Sequence, residues 1–242
     1  MRKFLTLIIS FVLISLFVSP AANSAPVVVI TEPTHRLSNG VFFDDELATK
    51  LNPTGELGSL IYSPSRGVRS WLVDPATLSE IVAMSNGYVI SDGWEIKDAQ
   101  VSGQEIAKAW LAQFLKISRN EKVSVLTYGN PSRYWVDQLF EKQITYINAS
   151  GKISLEGVLS KATTQSSIQN GKKQGLSKQN INFLKYAQRQ IDLFISLVDQ
   201  KELLNYQLRI SQLLNPDIEK SQLQSLLNDF DKSITQLRNK LK

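Results

Sequence analysis

The sequence predicts an α/β protein: a parallel-sheet domain, partial or reduced against a full β/α barrel, followed by an α-helical C-terminal region. Three observations carry this expectation. From Val27 to about Ser160, short β-type runs alternate with helical patterns, which implies βαβ crossovers. The stronger of those runs end in turn residues, Asp74-Pro75 and Gly129-Asn130-Pro131. After Ser177 the apolar residues step by three and four, the period of a helix face.

Val27-Val-Val-Ile30 is the first strand candidate. Asp44 to Leu51 and Gly55 to Tyr62 have the pattern of short helices, the second opened by Thr54. Val68 to Val73 is the next strand, and Pro75 then suits the first turn of a helix running to Ser85, ended by Asn86-Gly87. In the helix expected over Gly103–Ile117, Ile106, Ala109, Trp110, Phe114 and Ile117 fall on one stripe. Val123 to Tyr128 is a strand, Ser132 to Lys142 a helix, and Ile144 to Ile147 a further short strand. Residues 161–177, in a stretch rich in Ser, Thr, Gln, Gly and Lys, are expected to form a linker or long loop. Residues 178–242 form the helical region, with Leu184, Ala187, Ile191, Phe194 and Val198 on one face and Leu203 to Leu214 continuing the pattern. Asn215 and Pro216 predict the N-cap and first residue of the last helix. Its seam of Leu223, Leu227, Phe230, Ile234, Leu237 and Leu241 is expected to pack on the α/β domain of residues 25–160; a dimer seam is the alternative.

The N-terminus sets the expected compartment. Arg2 and Lys3, the apolar run Phe4–Val18 and the small residues of Pro20–Ala25 have the order of a secretory signal. At roughly 15 residues the apolar run is short for a membrane span. Cleavage is expected after Ser24, so residues 1–24 form the signal; an uncleaved N-terminal anchor is the alternative. The protein is therefore expected outside the cytoplasm, secreted or envelope-associated.

Composition narrows the chemistry. There is no cysteine, which excludes disulfide staples, thiol nucleophiles and thiolate metal sites. His35 is the single histidine, so a zinc site built from several imidazoles is excluded within one chain. No metal and no cofactor is expected. The sequence has no P-loop, no G-x-G-x-x-G and no G-x-S-x-G. Residues 171–242 hold 12 Lys/Arg against 7 Asp/Glu, so the basic excess lies in the helical region. That surface suits an anionic envelope polymer or lipid headgroups, or is simply a set of solvated helix faces. Nucleic acid is not an expected partner, because no basic-aromatic platform is present.

Ligands of parallel sheets bind at the C-terminal strand ends. Asp74 and the pair Tyr128 and Asn130 stand at such ends, and a carboxylate, a phenol and an amide suit sugar hydroxyls. The simpler role is helix capping, by Asp74 before Pro75 and by Asn130 before Pro131. Glycoside hydrolysis needs two carboxylates. Asp74 is the candidate for one, and Asp44, Asp45, Asp92 and Glu95 are undifferentiated candidates for the other. Asp44 and Asp45 also suit a helix N-terminus. Trp71, Tyr88 and Trp94 are candidates for stacking on sugar rings or for the core.

Several blocks resemble a family of exported actinobacterial cell-envelope proteins typically encoded near the lipid II flippase of peptidoglycan synthesis. They are Pro33-Thr-His35-Arg36 through Asp44-Asp45 to Leu51, Trp71-Leu-Val-Asp74-Pro75, Met84-Ser-Asn-Gly87-Tyr88, Ala109-Trp110-Leu111 and Leu126-Thr-Tyr128-Gly129-Asn130-Pro131. The resemblance covers about residues 30 to 140 and implies a (β/α) domain akin to glycoside hydrolases and polysaccharide deacetylases. It adds His35 and Asp44 to the ligand-binding candidates Tyr128, Asn130 and Trp94. Members usually carry Asp where Asn130 stands, and continue into β-rich modules and a membrane helix. The resulting expectation is a non-catalytic or weakly catalytic α/β domain that binds glycan or protein in cell-wall assembly. The alternatives are a divergent glycoside hydrolase or deacetylase using Asp74, and an interaction module using the basic helices.

Overall fold

The computed structural model describes residues 25–63, 67–92, 95–168, 170–172, 175–195 and 197–240. The expected signal, Trp94 and Leu241 lie outside the described residues. The chain is α/β with a C-terminal helical region. β1 (Val27–Ile30) is followed by α1 (Glu46–Leu51) and α2 (Glu56–Tyr62). Next come β2 (Ser70–Val73), α3 (Pro75–Ser85), the hairpin β3 (Val89–Asp92) and β4 (Glu95–Asp98), and α4 (Val101–Ser118). β5 (Lys122–Val125), α5 (Arg133–Leu139), α6 (Ile144–Leu159) and β6 (Thr164–Gln165) complete the α/β part. α7 (Lys178–Phe194), α8 (Gln200–Leu213) and α9 (Lys220–Lys240) form the helical region.

The sheet is parallel with order β1-β2-β5-β6, and Ile30, Val73 and Val125 stand in register near the C-terminal edge. One apolar cluster covers the sheet with α1 to α4 and includes Trp71, Trp110 and Phe114. A second joins α5 and α6 to the three last helices, through Trp135, Phe140 and Ile147 against Leu184, Ile210, Leu214 and Phe230. The helical region therefore packs on the α/β part as the apolar stripes require.

Four local expectations are corrected. Ile144 to Ile147 is the first turn of α6, not a strand. Ile147, Gly151 and Leu155, four apart, form its buried face, and Gly151 lets α6 approach Pro75, whose Cγ lies 3.1 Å from where a Cβ would stand. The missing strand is β6, inside the segment expected as a linker. It is polar and exposed, held by Ser124 and Thr164 hydroxyls 2.8 Å apart and by the Ser166 N–H on the Val125 carbonyl. The stripe of α4 centres on Ala107, Trp110 and Phe114, leaving Ala109 exposed. The last helix starts at Lys220, because Asn215 is used elsewhere: its amide donates to the Gly129 carbonyl at 2.9 Å and its oxygen accepts from Asp217 N–H.

Candidate functional site: the sheet edge and the cleft above it

Three crossover segments meet beyond the C-terminal ends of β1, β2 and β5. Asp74, directly after β2, caps α3 as the sequence predicts: its Oδ1 accepts from Ala76 N–H at 3.0 Å. The same oxygen accepts from Gly129 N–H at 2.7 Å, so the β5 crossover is tied to the β2 crossover. Gly129 is needed there. Its φ is +77°, and a Cβ would meet the Gln212 backbone at 2.7 Å. Oδ2 accepts from Thr77, whose hydroxyl also accepts from Glu32 N–H after β1. Asp74 is wholly buried, and burial pushes its carboxyl up to about 7 against the pull of these three donors.

Six residues on, Glu80 repeats the arrangement at a longer reach. Its Oε1 accepts from the Thr34 hydroxyl at 2.6 Å and from the Gln212 amide at 3.2 Å, and its Oε2 accepts from His35 N–H at 2.9 Å. A single buried carboxylate thus joins the β1 crossover to α8. Burial raises its proton affinity, while the Thr34 and His35 donors lower it.

His35 forms a clamp beside this network. Its Nδ1 lies 2.7 Å from Asp44 Oδ1 and its Nε2 lies 3.5 Å from Glu32 Oε1, which also takes the ammonium of Lys50. Burial lowers the imidazole's proton affinity, but the bond to Asp44 and the nearby Glu32 carboxylate outweigh it and hold the ring at about 9. The ring is therefore an imidazolium at neutral pH. His35, Asp44 and Glu46 carry ligand atoms within 4.8 Å of one another, and are the residues that would hold a cation. A protonated ring has no lone pair to offer, so a metal would first have to displace that proton.

Beyond His35 the chain forms a strap, Arg36 to Gly40, latched to α8 and α9. Arg209 of α8 donates through Nη1 to the Arg36 carbonyl at 2.7 Å. Asp229 of α9 accepts from Ser38 N–H at 2.8 Å and lies 3.6 Å from Arg209 Nη2. The Ser38 and Ser233 hydroxyls are 2.6 Å apart. A cleft of about 660 Å³ lies between the strap and α8–α9, bordered by Glu80 and Tyr128. A second cleft of about 490 Å³ lies on the hairpin side, lined by Phe42, Tyr88 and Gln104, and shares Arg36 and Gly40 with the first.

Of the residues predicted from sequence, Tyr128 borders the main cleft. Burial pushes its phenol up, so it stays a protonated donor, in contact with Ser79. Asp74 and Asn130 flank the same sheet edge, joined through Gly129, but neither lines either cleft. Asn130 does not cap α5; Ser132 takes the N-cap position, and Asn130 adopts a left-handed turn with φ of 45°. His35 and Asp44 form the clamp behind the strap.

Sequence reasoning missed Glu80, Arg209 and Gln212. Glu80 carried one signal: it lies three residues after Thr77 and four before Met84, on a helix face that is otherwise buried. Among the described residues, the carboxylates of the main cleft are all engaged, Glu80 by three donors, Asp229 by Ser38 and Arg209, and Glu202 by Lys240 at 2.9 Å. The cleft is thus equipped to hold a polar ligand, and each of its described carboxylates takes part in a hydrogen bond or ion pair. No described helix is long and apolar enough to cross a membrane. No family model, no curated protein and no solved structure matches this chain.

Proposed function

We propose that this chain is an exported cell-envelope protein that binds glycan in the cleft between the strap and α8–α9, as a non-catalytic component of cell-wall assembly. The observation that carries this is the lining of the cleft. Asn39, Asn205 and Gln236 supply amides, Ser233 a hydroxyl, and Tyr206 an aromatic ring. Amides that both donate and accept, with an aromatic face nearby, match the alternating hydroxyls and C–H faces of a sugar. A volume of about 660 Å³ has room for a short saccharide. Export rests on the charge and hydropathy order of residues 1–24, and the envelope setting on the family resemblance.

The hydrolase or deacetylase alternative places Asp74 in the chemistry. Its three hydrogen bonds and complete burial weigh against this, since a catalytic carboxyl must reach the scissile group. Calorimetric titration with soluble peptidoglycan fragments and N-acetylglucosamine oligomers tests the proposal. Binding weakened by Asn205→Ala and Gln236→Ala, with no turnover, is the expected result. Turnover that disappears in Asp74→Asn would replace binding with catalysis.

A further inference from the structure

We propose that the helical region docks on an anionic lipid bilayer through one end, inserting Leu193, Ile195 and Leu197 at the α7–α8 turn. These three aliphatic side chains, within five sequence positions, are 67%, 59% and 65% exposed. The buried face of α7 is Leu184, Ala187, Gln188 and Ile191, so Leu193 continues the helix on the outward side. Single exposed aliphatics are ordinary, but three within five positions form a patch that calls for a partner.

The other helices bring cations to the same end. α9 runs antiparallel to α8: Lys240 meets Glu202, Tyr206 meets the Ser233 carbonyl, and Arg209 meets Asp229. The last turn of α9 therefore stands beside the first turn of α8, next to the apolar turn. Arg238 reaches across to the Tyr186 hydroxyl of α7. Lys201 and Lys240 thus stand at this end of the helices, with Arg189 one turn before Leu193 and Arg238 in the last turn of α9. The acidic groups there are Glu202, paired with Lys240, Asp192, which accepts from the Gln188 amide and keeps its charge, and Asp199 at the head of α8, so the four cations exceed the carboxylates by one.

The size of the patch decides the occupant. A stable protein interface buries about 1,200 Å² or more around aromatic or arginine anchors. Three aliphatic side chains cannot supply that area. They do suffice for reversible insertion into a bilayer, where a few apolar groups act together with attraction of nearby cations to anionic headgroups. In this orientation α8 and α9 extend from the lipid surface with the cleft between them and the strap, and its Glu202 end nearest the headgroups. The inference does not depend on what the cleft binds.

Vesicle co-sedimentation tests it, with protein from Ala25 to Lys242, which holds every described element. Wild type should partition onto vesicles of equal parts phosphatidylglycerol and phosphatidylcholine, less so at high salt and on pure phosphatidylcholine. Leu193→Asp with Leu197→Asp should lower the partition coefficient by about tenfold or more, with an unchanged melting curve because both positions are exposed. Arg238→Gln with Lys240→Gln should lower binding to the anionic vesicles only. Wild-type protein that fails to bind, or an aspartate variant that binds equally, overturns the proposal. So does a vesicle-independent, concentration-dependent dimer that the aspartates abolish, since that would assign the patch to a second copy.

Discussion

Raising the pH above neutrality should loosen the β1 crossover at His35. The ring is almost completely buried and holds its proton to about 9, against 6.5 for the free side chain. A group whose folded value is raised binds its proton more tightly in the native state. Its contribution is fully present below 6.5 and is lost as pH rises through about 9. Each pH unit inside that window removes about 1.4 kcal/mol, so the whole window removes about 3 kcal/mol. That is a large part of a typical domain's stability. Urea denaturation at a series of pH values from about 6 to about 10 measures it. His35→Gln should be less stable at pH 7 and nearly flat above about pH 7.5. The reasoning fails if wild-type stability is constant between about pH 7.5 and 9, or if His35→Gln keeps the slope. Asp74 does not confuse this window. Its carboxyl is raised from 3.8 to about 7, so its contribution is present at low pH and is lost before the His35 window is half crossed.

Four further outcomes follow from the same contacts. Phe230→Ala, at a fully buried ring, should cost about 3–5 kcal/mol in denaturation with no dependence on protein concentration. Glu80→Ala should cost about 3–5 kcal/mol, because it strands the Thr34, His35 and Gln212 donors and leaves Arg209 less compensated; a cost under about 1 kcal/mol would remove Glu80 as the joint. Gly129→Ala should lower stability by more than about 1 kcal/mol, since both the φ and the approach of Gln212 exclude a Cβ. Asp74→Asn should keep the fold and flatten the pH dependence between about 4 and 7, while Asp74→Ala should cost more than the about 1 kcal/mol of an exposed cap, because Gly129 N–H also loses its acceptor.

What was legible in the sequence depended on signals carried within a few residues. Asp74-Pro75 states both the end of β2 and the start of α3, since the carboxylate caps and the ring fixes the first turn. The stripes of α7 and α9 carry their own period and survive in the fold, with Leu184 and Ile191 on one and Leu223 to Leu237 on the other. β6 was not legible, because Thr164 and Gln165 have no strand pattern and become a strand only beside β5. Ile144 to Ile147 favours a strand locally, but the helix buries Ile147 and Leu155 together, and tertiary packing overrides the propensity. Asn215 has the chemistry of a cap, and the Gly129 carbonyl, 86 residues away in sequence, takes its amide. For the site, Tyr128 was legible as a strand-end residue. The pairing of Glu80 with Gln212 was not, because no local pattern joins residues 132 positions apart.

The polar network at the sheet edge supports the proposed binding role over catalysis by Asp74 or Glu80. A carboxyl group that donates a proton or attacks a bond needs one oxygen with an open face toward the substrate. Asp74 uses Oδ1 twice, for Ala76 and Gly129, and Oδ2 for Thr77. Glu80 uses Oε1 for Thr34 and Gln212 and Oε2 for His35. Freeing either carboxylate would unlock a crossover or release α8. The same bonds fix the strap, because Thr34 and His35 precede it and Arg209 holds its first carbonyl. A ligand entering the cleft therefore meets walls already held in position by buried charge, so less ordering is required on binding. Under the proposed function the carboxylates at the sheet edge act through the shape of the cleft, and recognition falls to the amides and rings of the strap, α8 and α9.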